Sequence, residues 1–298
     1  MRSVVVCSIL GLVVTVACGT SNGDPATSAG SGASGAVGPS SGAGAGSTMA
    51  SSTGAGAGIV GQPTPEELFG TMVDTVALEI DYEAGAEPYT GSVVGFGPIW
   101  DVTERHLEAL FDGANKSFTI PRELSAMQDI GPVAGEEHDG DAIFALVEQH
   151  RDRPPFEGTT ASFYVLWLDG RLVSGGEVQN GVLGVAWVSA GVIAMFKPVI
   201  ESAGIDPTGA TQRYVEQVTL VHELGHLAGL VNNGLELTSD HQDDEHGAHC
   251  DNQDCIMYWT VESTTGAVDY VQKSLTNPDV ILWGSECLGD AQAAIAGG

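Results

Sequence analysis

His222-Glu223-Leu224-Gly225-His226-Leu227-Ala228-Gly229 has the pattern HExxHxxG and lies within an apolar segment of the chain. Two histidines four residues apart lie about one turn apart on the same face of a helix. His222 and His226 can therefore bind one metal ion, with Glu223 beside them and free of the metal. The surrounding apolar residues predict a buried helix that starts near Thr211 and runs past the motif, and Gly229 allows the chain to turn back.

The residue types in this motif suit the hydrolysis of an amide bond. A zinc ion lowers the pKa of water towards about 7 and polarises a carbonyl group. Glu223 would take a proton from the attacking water and pass it to the leaving amine. A helix that carries HExxH by chance is the alternative, and the apolar context argues against it. We therefore expect zinc-dependent cleavage of peptide bonds.

A catalytic zinc ion binds three protein ligands and keeps one position open. The motif resembles that of the metzincin metalloproteases, which is HExxHxxGxxH with a methionine-containing turn further along the chain. The match holds through Gly229 and ends at Asn232, which stands where the third histidine is expected. The third ligand must therefore come from another part of the sequence.

A later segment, His249-Cys250-Asp251-Asn252-Gln253-Asp254-Cys255-Ile256-Met257, is similar to the corresponding part of the archaemetzincins. In that family the pair HC follows almost directly on the glycine, so Leu230 to Ala248 would be an insertion in this chain. The resemblance covers mainly residues 211–258. It implies that His249 is the third zinc ligand and that Met257 is the Met-turn residue beneath the metal.

Three other residues near this segment have alternative interpretations. His246 and His241 lie within the insertion and compete with His249, which we favour because it adjoins the cysteine and methionine positions. The polar segment 240–246 is expected to be a solvated acidic loop, and a second cation site or a gate over the cleft is the alternative. The resemblance implies that Tyr258 could hydrogen-bond the tetrahedral intermediate. The alternative, which we favour, is that Tyr258 packs against Trp259.

The family pattern also contains a later CxxC, which gives four cysteines for a second, structural zinc ion. This chain has Cys250, Cys255 and Cys287, and Asp290 stands where the last cysteine would be. A second metal is therefore left open. A disulfide between Cys250 and Cys255 suits an exported protein, and pairing of either with Cys287 is a further alternative.

Strands that alternate with helices predict an α/β (α+β) fold with a mixed sheet and packed helices. The resemblance implies a metzincin-like zincin domain, in which a twisted mixed sheet with packed helices lies above the active-site helix. A smaller, irregular lower subdomain would hold the Met-turn and a C-terminal helix. The catalytic domain would span 62–298, with an upper part (62–231) and a lower part (232–298). Strands are expected at residues 71–80, 162–168, 182–188 and 192–196, and helices at 99–111, 142–150 and from 285 or 286 onward.

The beginning of the chain predicts export. Residues 1–17 contain a short apolar run and have the plan of a signal peptide. Thr15-Val16-Ala17-Cys18 resembles a bacterial lipobox, which implies cleavage before Cys18 and lipidation of its thiol; an ordinary signal peptide is the alternative. Residues 18–61 would be the lipidated cysteine and a flexible Gly/Ser/Ala-rich tether. We expect a bacterial cell-envelope lipoprotein or a secreted protein, with the lipid anchor as its contact with the membrane.

The formal net charge of −29 and the pI near 4.2 argue against binding to nucleic acid or to an anionic membrane face. The expected partner is a peptide or protein substrate, and the oligomeric state is open. A non-catalytic zinc-binding surface lipoprotein and a zinc hydrolase of a non-peptide amide are the competing functions. Glu223 argues against the first, because a structural zinc site does not need that carboxylate.

Overall fold

A computed structural model describes residues 61–298, except residues 205, 207 and 278. The predicted signal peptide over 1–17, the lipidation site Cys18 and all of the 18–61 tether except Gly61 lie outside the described residues. The described helices and strands are, in chain order, α1 (Pro65–Phe69), β1 (Thr75–Tyr82), β2 (Ser92–Val93), β3 (Gly97–Pro98), α2 (Asp101–Leu110), β4 (Ser117–Thr119), β5 (Gln128–Asp129), β6 (Glu137–His138), α3 (Gly140–His150), β7 (Phe156–Glu157), β8 (Thr160–Leu168), β9 (Arg171–Ser174), β10 (Glu177–Gln179), β11 (Gly184–Trp187), β12 (Val192–Phe196), α4 (Lys197–Glu201), α5 (Ala210–Leu227), α6 (Thr264–Thr276) and α7 (Ser285–Gly297).

The main sheet is mixed, and its path runs β11-β12-β8-β1-β4, with β5 pairing to β1 and β7 to β8. Strands β12, β8, β1 and β4 are parallel, and β11 is antiparallel to β12. Val165 on β8 pairs with Ile80 on one side and Ile193 on the other, and all three are buried. A strand with parallel neighbours on both sides is covered on both faces, which is why β8 is a nearly continuous apolar run. The predicted mixed α/β fold is confirmed.

The strand β11, which lies within the strand predicted at residues 182–188, forms one edge of this sheet. It pairs with β12 from Gly184 opposite Met195 to Trp187 opposite Val192. A 3-10 turn, Val188–Ala190, and Gly191 at a φ of 61° join the two strands. This left-handed conformation is one that glycine adopts at little cost.

Because β11 pairs only with β12 in the described sheet, its outer side is open for a further strand.

The helix α5 carries the HExxH motif and is packed on most of its sides. Every residue from Tyr214 to Leu227 is buried. It contacts β11 and β12 of the sheet, and α2 and α6 on other sides. The helix begins at Ala210, one residue before the predicted start, and Gly229 follows its end at a φ of 83°. The predicted turn at Gly229 is therefore present.

Three helices, α1, α4 and α6, were not predicted. The five-residue α1 is short, although Thr64 and Glu67 form a capping box that the sequence contains. The longer α6 begins Thr-Thr-Gly, and both residue types have low helix propensity. Its stability comes from the Ser263 cap, which accepts the Gly266 N–H at 3.2 Å, and from packing against α5. The region after residue 231, predicted as irregular with one C-terminal helix, thus holds two helices.

Within residues 61–298, apart from the three undescribed positions, no helix is both long enough and apolar enough to cross a membrane.

Candidate metal centre

His222 and His226 point to one place from consecutive turns of α5. Their Nε2 atoms are 3.1 Å apart, and their ring planes are nearly perpendicular. Both residues are buried, with exposures of 0% and 8%. The i, i+4 spacing of the motif therefore produces the pairing that it predicted.

His249 completes a cluster of three imidazoles with the helix histidines. Its ring centroid lies 5.3 Å from that of His222 and 5.0 Å from that of His226. The structure thus brings together the three residues that the sequence proposed as zinc ligands. Asn232, at the family position of the third histidine, is exposed and donates to Gln242 at 3.0 Å instead.

Backbone carbonyls fix the orientation of two of the three rings. His222 Nδ1 lies 2.7 Å from the Ile256 carbonyl oxygen, and His249 Nδ1 lies 2.7 Å from that of His246. A carbonyl oxygen can only accept, so both Nδ1 atoms carry the proton and donate it. The Nε2 atoms of both rings consequently face the cluster. Metal-binding histidines are held in this way by a partner on the other ring nitrogen.

Glu262 is the fourth member of the cluster, and the sequence analysis missed it. Its Oε1 lies 3.1 Å from His249 Nε2 and 4.0 Å from His222 Nε2. One ligand atom from each of the four residues lies within 4.8 Å of all the others. Glu262 ends a 3-10 turn, Trp259–Glu262, that no motif marks.

Burial keeps the helix histidines neutral. It lowers the pKa of His222 to about 4 and that of His226 well below its ordinary value, and the neighbouring imidazoles add to both effects. Burial alone would also lower the pKa of His249, but its hydrogen bond to Glu262 and the charge of that carboxylate raise it overall. Neutral imidazole is the form that binds a metal ion.

Glu223 is buried beside the histidines with a free acceptor atom. Its Oε1 has no hydrogen-bond partner among the described residues. Burial, followed by the charge of Glu262, raises its pKa well above the ordinary value. A partnerless buried carboxylate is costly unless a cation or a bound polar group lies near it. Gly184 at the start of β11 packs on this side chain, since a Cβ there would lie 3.1 Å from Glu223 Cγ.

Met257 lies against the turn of α5 between the two histidines. It is fully buried, and its sulfur occupies the space that a side chain on Gly225 would need. The Trp283 ring closes the same space, at 3.0 Å from such a Cβ. The resemblance assigns Met257 to the Met-turn, and in the structure its sulfur lies against Gly225 of the motif helix. Tyr258 packs with its ring 5.9 Å from that of Trp259, and no hydrogen bond of its hydroxyl is seen among the described residues.

The insertion is less solvated than its sequence suggested. His241 is 2% exposed and its Nε2 lies 2.8 Å from Asp290 Oδ2. The His246 ring stacks on Trp259, with centroids 4.1 Å apart and planes 5° apart. Neither histidine belongs to the three-imidazole cluster.

A second cluster joins the insertion to the C-terminal helix. Ligand atoms of His241, Cys250 and Cys287 lie within 4.8 Å of one another, and Cys255 Sγ is 3.5 Å from Cys287 Sγ. All three thiols are free, so the alternative disulfide between Cys250 and Cys255 is not formed. Neighbouring thiols lower the pKa of Cys255 to about 4, helped by the N–H groups of Met257 and Gly284.

No protein-family model and no curated protein matches the sequence. Several solved structures match with low similarity. A zinc-dependent peptidase from Methanocorpusculum labreanum is 16% identical, with 72% of this chain and 99% of that chain covered and a TM-score of 0.43. An archaemetzincin from Methanopyrus kandleri is 14% identical (76% and 97% covered, TM-score 0.42), and one from Archaeoglobus fulgidus, complexed with malonate, is 14% identical (72% and 99%, TM-score 0.38).

The residues of the three-histidine cluster fit a zinc ion on their own chemistry. Imidazole nitrogen and carboxylate oxygen are ligands that zinc accepts in tetrahedral sites. Imidazole nitrogens that converge on one point can bind a single cation between them. The orphaned Oε1 of Glu223 is explained by the same cation or by a polar group bound beside it. His222, His226 and His249 would hold the ion, and Glu223 would lie next to it.

Proposed function

We propose that this protein is a zinc-dependent peptidase in which His222, His226 and His249 bind the metal and Glu223 transfers protons. The observation that carries the proposal is the convergence of three imidazoles beside a buried carboxylate that has an unused acceptor atom. A zinc ion in this position would lower the pKa of water and polarise a substrate carbonyl.

Glu223 is suited to hold and release a proton. Burial raises its pKa well above the ordinary value, and a cation nearby would lower that pKa again. The carboxylate then accepts a proton from water and delivers it to the amine of the leaving peptide. A group that must act as base and then as acid works best when its pKa is near the working pH.

The edge strand β11 supports an extended peptide as the substrate. Its outer side is unpaired in the described sheet, and its first residue, Gly184, packs on Glu223. A peptide that adds to this edge by backbone hydrogen bonds runs past the proton-transfer residue. A small non-peptide amide would make no use of the edge.

The Glu223→Gln variant tests the catalytic role. We expect it to bind zinc as the unaltered protein does and to lose peptidase activity by at least about 100-fold, the usual contribution of one general acid–base residue. Glu245→Gln is the matched control, because Glu245 is exposed in the insertion. Equal activity of Glu223→Gln and Glu245→Gln would refute the mechanism. A zinc-loaded protein that cleaves no peptide would instead favour the non-catalytic zinc lipoprotein, and cleavage of non-peptide amides alone would favour the third function.

We further propose that a second, structural zinc ion is bound by Cys250, Cys255, Cys287 and His241. His241 from the insertion would take the place of the fourth cysteine, with Asp290 holding its ring. Two backbone N–H groups, from Gly284 at 3.1 Å and Met257 at 3.4 Å, point at Cys255 Sγ, which suits a thiolate.

Metal content separates the two sites. We expect the unaltered protein to bind two zinc ions per chain. The single variants His249→Ala and His241→Ala should each bind one. Peptidase activity should be lost in the first, and thermal stability should fall more in the second. His150→Ala is the control histidine outside both clusters. A single zinc ion in the unaltered protein that persists in His241→Ala would refute the second site.

For the beginning of the chain we propose export as a lipoprotein with Cys18 as the lipidated residue, which rests on the sequence pattern alone. Membranes would be contacted through that anchor, and nucleic acid would not be bound. Labelling of cells with palmitate should mark the protein and should fail for Cys18→Ala. Labelling that persists in Cys18→Ala would refute the anchor.

A further inference from the structure

Glu262 is more exposed than the histidines that it contacts. Its side chain is one-third exposed, whereas the side chains of His222 and His249 are 0% and 7% exposed. The carboxylate is therefore more accessible to solvent and to a substrate than those two histidines. No part of the HExxH mechanism described above uses Glu262.

Two of the ligand-atom pairs have the spacing of neighbouring zinc ligands, and all four ligand atoms lie within 4.8 Å of one another. Zinc–nitrogen and zinc–oxygen bonds of about 2.0–2.1 Å place tetrahedral ligand atoms about 3.3 Å apart. The pair His222–His226 has 3.1 Å between its Nε2 atoms, and the pair His249–Glu262 has 3.1 Å between Nε2 and Oε1. Glu262 thus stands at the distance of a fourth ligand.

The orientation of the His249 ring supports a shared cation between these groups. His249 Nδ1 lies 2.7 Å from the His246 carbonyl oxygen, so Nε2 is the ring nitrogen that faces Glu262 Oε1, at 3.1 Å. The two atoms can therefore hold one cation between them, either a proton or a metal ion. A metal ion in that position would have both atoms as ligands.

The turn that carries Glu262 is clamped on two sides. Trp259, at its start, stacks on His246 of the insertion. Gly266 in the first turn of α6 packs so closely on the Thr260 carbonyl that a Cβ would overlap it. The clamp presents the carboxylate to the cluster, and the same insertion residue His246 orients His249 through its backbone.

We propose that Glu262 is a fourth protein ligand of the metal and holds the site in a latent, closed state. The consequence of this ligand rests on the proposed peptidase function. In a peptidase, substrate or water would have to displace the Glu262 carboxylate before the metal could polarise a carbonyl. Displacement is possible because Glu262 is the exposed ligand on a short turn, while the histidines are fixed by burial and by carbonyl partners.

The test uses the full-length protein loaded with Co²⁺, whose visible absorption bands report the ligand number. Glu262→Gln keeps the shape of the side chain and weakens it as a ligand, and Glu262→Ala removes it. Glu245→Gln removes one negative charge from the insertion without touching the cluster. Each protein is titrated with azide, a small anionic ligand, and with a competing chelator. Far-ultraviolet circular dichroism of the metal-free proteins checks that they fold alike.

We expect both Glu262 variants to bind azide at least about tenfold more tightly than the unaltered protein and to lose metal to the chelator at least about tenfold more readily. The Glu245→Gln control should match the unaltered protein. With saturating zinc, peptidase activity of the Glu262 variants should rise. Azide binding and metal retention equal to those of Glu245→Gln, or a loss of activity, would overturn the proposal. Failure of the peptidase function is distinct: no protein in the set would then cleave peptides, whatever its spectrum.

Discussion

At the scale of single residues, Gly225 is required by the space between the helix and the Met-turn. A side chain there would overlap Met257 Sδ and lie 3.0 Å from the Trp283 ring. We predict that Gly225→Ala lowers the free energy of unfolding by about 1–3 kcal/mol, as overpacking does, and also weakens zinc binding by tilting the turn between the two histidines. Gly140→Ala is the control, because nothing lies within 4 Å of a Cβ at that helix position. Urea unfolding and zinc titration measure both effects; equal results for the two variants would contradict the packing argument.

His106 should make stability depend on pH. Its Nδ1 donates to the Val102 carbonyl oxygen at 2.7 Å and its Nε2 accepts the Leu282 N–H at 3.1 Å. Burial lowers its pKa from the ordinary 6.5 to about 4, so below pH 6.5 the unfolded chain binds a proton that the folded protein refuses. Stability is therefore complete above pH 6.5 and is lost as the pH falls towards 4.

Between pH 7 and pH 5, protonation of His106 in the unfolded chain should lower the free energy of unfolding of the metal-free protein by about 2 kcal/mol. His106→Gln does not titrate in that range, so its unfolding free energy should fall by less over the same interval. The depressed pKa values of His222 and His226 act in both proteins and cancel in the difference. Urea unfolding at the two pH values measures both free energies. An equal fall in the two proteins would refute the assignment to His106.

The sequence predicted those site residues whose positions depend on local structure. His222, Glu223 and His226 follow from helix periodicity, and His249 follows from the motif it shares with a known family. Glu262 was missed because its place at the cluster depends on how the chain folds after the Met-turn. His241 was ranked as a loop residue, since nothing local shows that Asp290, 49 positions later, will pair with it.

At the scale of elements, the sequence succeeded where burial imposes a pattern. The apolar segments 162–168 and 192–196 became β8 and β12, and the predicted start of the last helix at residue 285 is correct. The helix α6 was missed because a weak Thr-Thr-Gly start is stabilised by packing on α5 and on the preceding turn. The short strands β2 to β7 carry too few residues to show a period of two.

The insertion acts as one element that fastens the third histidine to the turn of Glu262. The contact is the stack of His246 on Trp259, centroids 4.1 Å apart. We predict that His246→Ala weakens zinc binding several-fold, because the insertion loses its clamp. The change His246→Phe keeps an aromatic ring for the stack but cannot bind a metal, so it should retain zinc nearly as well as the unaltered protein. Loss of zinc in both variants would instead make His246 a ligand. Chelator competition followed by metal analysis distinguishes these outcomes.

At the scale of the whole molecule, the negative charge is concentrated in the part that the structure describes. Residues 1–60 hold Arg2 and Asp24 as their charged residues, so the net −29 belongs to residues 61–298. Several of the few basic side chains are already paired: Arg122 with Asp101 and Glu104, Lys197 with Glu216, and Lys273 with Asp254. A substrate therefore approaches a surface with a large excess of carboxylates, which attracts cations over distances set by the ionic strength.

This field should select substrates by charge. We predict that a peptide flanked by Lys and Arg is cleaved with a kcat/KM at least about tenfold higher than the same peptide flanked by Asp and Glu, when the salt concentration is low. The ratio should fall towards one as NaCl rises from about 0.01 M to 1 M, since the screening length shrinks from about 30 Å to about 3 Å. A Ser-flanked peptide is the control and should change little. Initial rates across this salt series measure the effect, and a ratio that salt leaves unchanged would place the selectivity in direct contacts within the cleft and not in the charge of the molecule.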